Sequence, residues 1–386
     1  MYNGHFTGHS HMADKPYPFY IKATVILIGL FYLVSILSAL SGILVPFAFA
    51  VLFSILLNPL YNRLLRFKLP RPIAVLLTVL LGVAFTTLVV YLLSSQVAQF
   101  GQSFPVLKVR FGQMTDSLEH WIRGQFGISI QKQLLFIKNA VDSSQAAIGS
   151  VLGTLLGTVS LLLIIPIYVF MLLLYKNLII NFVYEVFSEE HSKNVGAILA
   201  QTKSAIQSYI VGLLIEMIIV SSLNSLALFI IGVKYALLLG VIGGIINVLP
   251  YIGGFVAILL PVLIAMITQG GYSAPLEVIG SYLLIQFVDS NIIFPRFVSI
   301  KVQINALISL IAVFLGNAMW GIYGMFLMLP MVAVLKIIFD RVEELKPWGK
   351  LLGDEVPVVH MGQVWGRRGR KKKMEPAAAP FKGAIE

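Results

Sequence analysis

Long apolar runs dominate the chain, and its polar residues gather between them instead of alternating with them. A helix crossing about 30 Å of hydrocarbon needs roughly 20 apolar residues. By that measure Lys22–Leu40 and Ile43–Tyr61 predict a helical pair joined at Ser41-Gly42, and Pro72–Gln96 predicts a third span. Gly149–Tyr175 and Ile206–Ile231 predict two more. Two later runs, Tyr235–Thr268 and Ile304–Ile338, are each about 35 residues, too long for one straight crossing.

Both long runs are interrupted near the middle. The first breaks at Asn247-Val248-Leu249-Pro250-Tyr251-Ile252-Gly253-Gly254, the second at Gly316-Asn317-Ala318-Met319-Trp320-Gly321. Proline removes a backbone donor and glycine weakens a helix, so unwound backbone here needs protein or water to satisfy it. Each break leads into an apolar run ending in proline, Gly254–Pro261 and Gly324–Pro330, which suggests a weak internal repeat. Paired, interrupted hydrophobic segments are the best sequence pointer to a transporter's binding site. A first hairpin that returns to its own side keeps Arg296 and Lys301 with the other basic loops, and that hairpin is the expectation.

Between the spans, Phe100–Ser150 changes character. Leu107, Phe111, Met114, Leu118 and Trp121 fall at helical spacing among Lys108, Arg110, Asp116 and Glu119, and Leu134, Ile137 and Val141 continue the pattern. Two amphipathic helices forming a small extramembrane insert are expected. Ser188–Ser208 is a second amphipathic stretch. The fold class that emerges is an all-α polytopic integral membrane protein of about eight membrane segments, two of them broken or re-entrant hairpin helices. Its expected divisions are a flexible N-terminal tail (1–20), spans one to three (21–99), the insert (100–149), a transmembrane core with the broken helices (150–340) and a polybasic tail (341–386).

Composition agrees. Of 386 residues, 58% are hydrophobic and 12% charged, whereas a soluble domain carries roughly a quarter charged residues. The net charge of +11 is localised: one cluster is Arg63, Arg66, Lys68 and Arg71, another runs from Arg367 to Lys373. Such clusters mark cytoplasmic loops and attract anionic lipid, which puts both termini in the cytoplasm and the insert on the opposite side. No aromatic residues are interleaved with the basic tail, so nucleic acid is not an expected partner. The first apolar stretch exceeds the roughly 7–15 residues of a signal-peptide core and reads as a retained anchor. The chain has no cysteine, which excludes thiol catalysis and cysteine-ligated metals.

Acids inside spans are the sharpest functional clues, since a charge at mid-bilayer costs roughly 2.5–3.5 kcal/mol even on the lenient insertion scale. Glu216 sits near the middle of Ile206–Ile231, and Asp289 lies in Glu277–Pro295 with Gln286, Asn291 and Arg296 around it. Each acid is a candidate for a coupling proton or cation, or for orienting a polar solute; a buried, hydrogen-bonded structural acid is the competing reading. Asn247, Pro250, Tyr251, Gly253, Gly254 and Asn317 complete the candidate set, because broken helices offer free backbone dipoles. Lys336 and Asp340, spaced i, i+4, read as a salt bridge near a helix end. Trp320, Tyr323, Trp348 and Tyr251 read as interface anchors. No H-E-x-x-H, G-x-S-x-G or P-loop pattern occurs, and no cofactor, metal site or enzymatic activity is expected.

The run Asn247-Val248-Leu249-Pro250-Tyr251-Ile252-Gly253 resembles a hallmark of the AI-2E (autoinducer-2 exporter-like) permease family, an N-x-[IL]-P-Y-[IL]-G segment in a broken helix. Gln286–Pro295 is similar to the family's Q-x-x-[DE]-x-N-x-[IL]-x-P segment, and Gly316–Pro330 to its third, glycine- and proline-punctuated run. The chain departs from the pattern at Gly254, where proline is frequent, and at Gln303-Ile304-Asn305-Ala306, where a His-Pro pair is frequent. The resemblance implies a bacterial inner-membrane permease without an ATPase, handling autoinducer-2 or a similar small polar solute, or exchanging sodium for protons. A homo-oligomer in the lipid bilayer is expected. A membrane scaffold without transport stays open as the contrasting alternative.

Overall fold

The computed structural model describes residues 18–126, 159–187, 192–249, 253–269, 271–298 and 304–354. Among the described residues every named element is helical. Pro250, Tyr251, the second half of the expected insert and most of the two tails lie outside them.

Helices α1 (Phe19–Ala39) and α2 (Ser41–Arg66) meet at Leu40. No side chain of α1 is buried within the chain, as suits a helix that is apolar all round and has lipid for solvent. α3 (Arg71–Phe126) is 56 residues long, and its Arg71–Gln102 part is apolar enough to cross a membrane. The helix continues through Pro105 without a break, and Leu107, Phe111 and Thr115 are buried along one face of the extension. Phe100 packs edge-on against Tyr235, with ring centroids 5.5 Å apart. The first part of the expected insert is therefore an extension of the third span. Two helices, α4 (Val159–Leu174) and α5 (Lys176–Val186), meet at a 62° bend. There the Lys176 ammonium donates to the Asn58 side-chain carbonyl at 2.8 Å.

The long α6 (Ser192–Ile231) leads into α7 (Ala236–Asn247) and α8 (Gly253–Gln269). α7 runs back along α6 because small residues let the backbones touch. A Cβ on Gly240 would collide with Ser225, and one on Gly244 with Ser221; small residues four apart are the usual seam between membrane helices. α8 then reverses again. Gly253 lies against the Ile246 carbonyl and Asn247, and Ala257 faces Gly243. At the far end the Gln269 amide donates to the Ile231 carbonyl at 3.0 Å. The α7–α8 pair is a re-entrant hairpin that starts and ends at one side of the protein, called below the Gly232 face.

The next helix, α9 (Ser273–Val288), passes through a π-helical turn, Asp289–Ile293, into the short α10 (Phe294–Phe297). Pro295 has no N–H to continue the ordinary ladder, which accounts for a widened turn just before it. This segment crosses from the Gly232 face to the face that bears Arg296. α11 (Ala306–Arg341) runs 36 residues as one element, yet Trp320 (φ −133°, ψ 18°) and Gly321 (φ 60°, ψ −144°) leave the helical region. Beyond them Gly324 lies against the Gly316 carbonyl, an approach that two residues eight apart cannot make in a straight helix. At the base, α12 (Lys346–Leu352) returns so that Ile304 bridges Gly353 and the Asn305 backbone N–H donates to Leu352. α11 is thus a second hairpin, opening on the Arg296 face.

Five unbroken crossings, the bent α4–α5 pair and two hairpins make about eight membrane segments among the described residues. Glycine at the hairpin contacts is a matter of space. Gly316→Ala forces its methyl group into the Gly324 backbone and is expected to destabilise by about 1–3 kcal/mol, the usual cost of overpacking. Nothing lies within 4 Å of a Cβ on Gly280, so Gly280→Ala is expected to stabilise by up to about 1 kcal/mol through helix propensity. Thermal unfolding in detergent checks both: Tm must fall for the first variant and hold or rise for the second.

Candidate functional site

Three separate elements bring polar side chains to one point inside the apolar body. Glu216 comes from the middle of α6, Asp289 opens the π-helical turn after α9, and Asn247 is the last residue of α7 at the hairpin tip. The acids are 3% and 4% exposed, so water outside the protein does not solvate them. The Asn247 amide nitrogen donates to Asp289 Oδ2 at 2.9 Å and lies 3.5 Å from Glu216 Oε1. One amide therefore bridges two carboxyl groups.

The seam described above sets this geometry. Ser221 and Ser225 against Gly244 and Gly240 press α7 onto α6, and the next turn of each helix carries Asn247 to the level of Glu216. On the other flank, Gly212 of α6 leaves space for the Phe297 carbonyl. That contact draws α10 against α6 and holds the π-turn beside it. Gly253 permits the tight reversal after the tip.

The other expected residues divide. Gln286 of α9 meets Gly254 instead of the acids: its side chain occupies the space beside Gly254 on α8, and its amide lies 3.4 Å from the Ser290 hydroxyl. Asn291 turns outward and donates to the Phe287 carbonyl at 2.8 Å. Asn317 is exposed on the first arm of α11. Two further buried groups carry no charge and stood outside the expected set: Asn224, two turns past Glu216, and Tyr282, two turns before Asp289. Their helical spacing from the acids was the available signal.

Chemically, the centre is rich in acceptors. Glu216 Oε2 and Asp289 Oδ1 are buried without a hydrogen-bond partner among the described residues. The C-terminal end of α7 adds the partial negative charge of its last carbonyls. No ion pair reaches either acid among the described residues. Two acids in one dry site repel when both are ionised, and a proton or a small cation between them removes that repulsion. No cluster of three or more histidine or acidic side chains suited to a metal occurs among the described residues.

Comparison with known proteins agrees with this architecture. Residues 21–344 match the AI-2E family transporter model. "Putative transport protein YrrI" of Bacillus subtilis (strain 168) is 26% identical over 307 residues, covering 77% of this chain and 85% of that protein. "AI-2 transport protein TqsA" of Escherichia coli (strain K12) is 24% identical over 302 residues, covering 78% and 86% respectively. The chain belongs to the AI-2E transporter family and is a multi-pass membrane permease.

Asn247 is the structural link in the site. Asn247→Leu keeps the volume close but removes the shared donor, leaving two unbridged acids. It is expected to destabilise the protein by about 1–3 kcal/mol, the cost of stranding buried polar groups. Adding Glu216→Gln supplies a new donor and removes one acid, so the double variant should recover part of that loss. A double-mutant cycle on detergent Tm values reads the coupling; strict additivity would show that the three groups do not act together.

Proposed function

We propose that this AI-2E family member is a secondary transporter that exports autoinducer-2 or a similar small polar solute, coupled to a proton or cation bound at Glu216 and Asp289. The observation that carries the reading is the hydrogen bond from the hairpin-tip Asn247 to two buried acids on separate elements. A secondary transporter must link ion occupancy to a change of shape. Among the described residues the hairpin's side-chain hydrogen bonds to the two acids come from Asn247, so filling the site alters the hold on the tip.

Support for the solute comes from a relative named as an AI-2 transport protein, at 24% identity. The bare acid pair also favours a second reading, sodium–proton antiport, in which the same groups exchange two cations. The family relationship favours transport over catalysis. In the proposed setting the protein resides in a bacterial inner membrane as a homo-oligomer. Arg63 and Arg66 at the end of α2, with Arg296, then mark the cytoplasmic face that also holds both termini.

Flux in proteoliposomes tests this, comparing wild type with Asp289→Asn under imposed proton and sodium gradients. Autoinducer-2 is the solute, and a pH-sensitive dye reports proton movement. Gradient-driven autoinducer-2 movement by the wild type, reduced at least tenfold in Asp289→Asn, is the expected result. Sodium-driven proton flux without solute movement would favour the antiporter. Flux that is indifferent to Asp289→Asn would remove the acid pair from the mechanism.

A further inference from the structure

The acid pair is not the only polar group that α6, α7 and α9 bring together. Moving from it toward the Gly232 face, each helix presents another small or polar residue on the same side. On α6 that residue is Asn224, on α9 Tyr282 and on α7 Gly243. A Cβ placed on Gly243 would lie 3.2 Å from the Asn224 amide nitrogen and 3.4 Å from the Tyr282 hydroxyl. Even a methyl group would crowd them, so the amide and the phenol close together over residue 243, an approach its missing side chain permits.

Both groups have unmet hydrogen-bonding capacity. Asn224 is 2% exposed and Tyr282 5% exposed, yet the Asn224 Oδ1 and the Tyr282 hydroxyl have no partner among the described residues. Leucine and phenylalanine would fill the same places without stranding polar atoms, so packing alone gives no reason for these residue types. Ser221, buried between Glu216 and Asn224, continues the polar stripe along α6. The surroundings are apolar: Ala257 from α8 closes one side, and Leu228, Leu238 and Val278 belong to the same buried cluster.

We propose that Asn224 and Tyr282, meeting over Gly243, form a second binding station on the transport route, between the acid pair and the Gly232 face, for an uncharged hydroxyl or carbonyl group of the solute. The amide donates through its nitrogen and accepts through its oxygen, and a phenol does both, which matches a hydroxyl or carbonyl group. Neither residue neutralises an ionised one. The station selects small neutral solutes bearing hydroxyl groups, while the acid pair handles the coupling cation. This deepens the transport reading above and rests on it for the direction of the route.

Because the chain has no cysteine, single-cysteine variants give a test that needs no knowledge of the solute. In proteoliposomes, Asn224→Cys should react with a small hydrophilic methanethiosulfonate reagent at least tenfold faster than Leu226→Cys, whose parent residue is exposed on the outer, apolar side of the same helix. Failure of Asn224→Cys to react from either side, while Glu216→Cys does react, would overturn the station and leave the acid-pair reading standing. The isosteric Tyr282→Phe supplies the second readout, with autoinducer-2 as the probe. Its KM should rise about tenfold with the number of protons moved per solute unchanged, and an unchanged KM would overturn a role in binding. A reactive Asn224→Cys in a protein that moves no autoinducer-2 supports the station as a hydrated route and rejects only that solute.

Discussion

A backbone inside hydrocarbon must satisfy its own hydrogen bonds, and every other feature of this protein follows from how it meets that demand. Two helical segments are broken, and the described residues at each break pack against protein. At the first, the chain reverses against α6 along a seam of serine on glycine, with no large side chain between the backbones. That closeness does more than shelter the peptide groups. It fixes the depth of the hairpin tip, and so the distance from Asn247 to the two acids. A methyl group on either seam glycine would move the tip away from Glu216.

The second break meets the same demand by different means. The Trp320 indole N–H donates to the Leu37 carbonyl at 3.0 Å, and the Ser38 hydroxyl lies 3.3 Å from the Met319 carbonyl. The end of α1, a helix otherwise facing outward, thereby fastens the tip of α11. Trp320 also belongs to an apolar cluster with Val45, Leu52, Met325 and Leu327. The weak echo between the two long segments therefore corresponds to a shared architecture, two hairpins opening on opposite faces, but not to shared chemistry. One tip carries a polar side chain into an acid pair, and the other is held by an indole and a cluster of hydrocarbon.

What could be read from the chain beforehand follows from which signals are local. Span positions and the two breaks were legible, because hydropathy and proline or glycine interruptions are properties of short windows. Glu216 and Asp289 were legible as anomalies, being charged residues in apolar runs. Their meeting was not, because it depends on α7 reversing along α6 and on a π-turn before Pro295, contacts far apart in sequence. The extension of α3 was hidden for a related reason: hydropathy falls near Gln102, but the helix has no cause to stop there and changes only the side it buries. Asn224 and Tyr282 went unmarked because neither carries a charge, so neither stood out in its span as the two acids did.

The placement of charge bears on how such a molecule can move. Both acids sit on elements packed closely against each other, α6 and the turn joining α9 to α10, through the contact of Gly212 with Phe297. Asn247 alone belongs to the α7–α8 hairpin, and its links to the acids are two side-chain contacts, one of them at 3.5 Å. Side-chain hydrogen bonds to buried acids depend strongly on charge, whereas the serine–glycine seam does not. Under the proposed coupling, ion occupancy acts on the tip and leaves the seam alone, so the least disruptive response is a local one. In that proposed coupling the tip shifts where the polar contacts change, while the α7 arm keeps its register on α6.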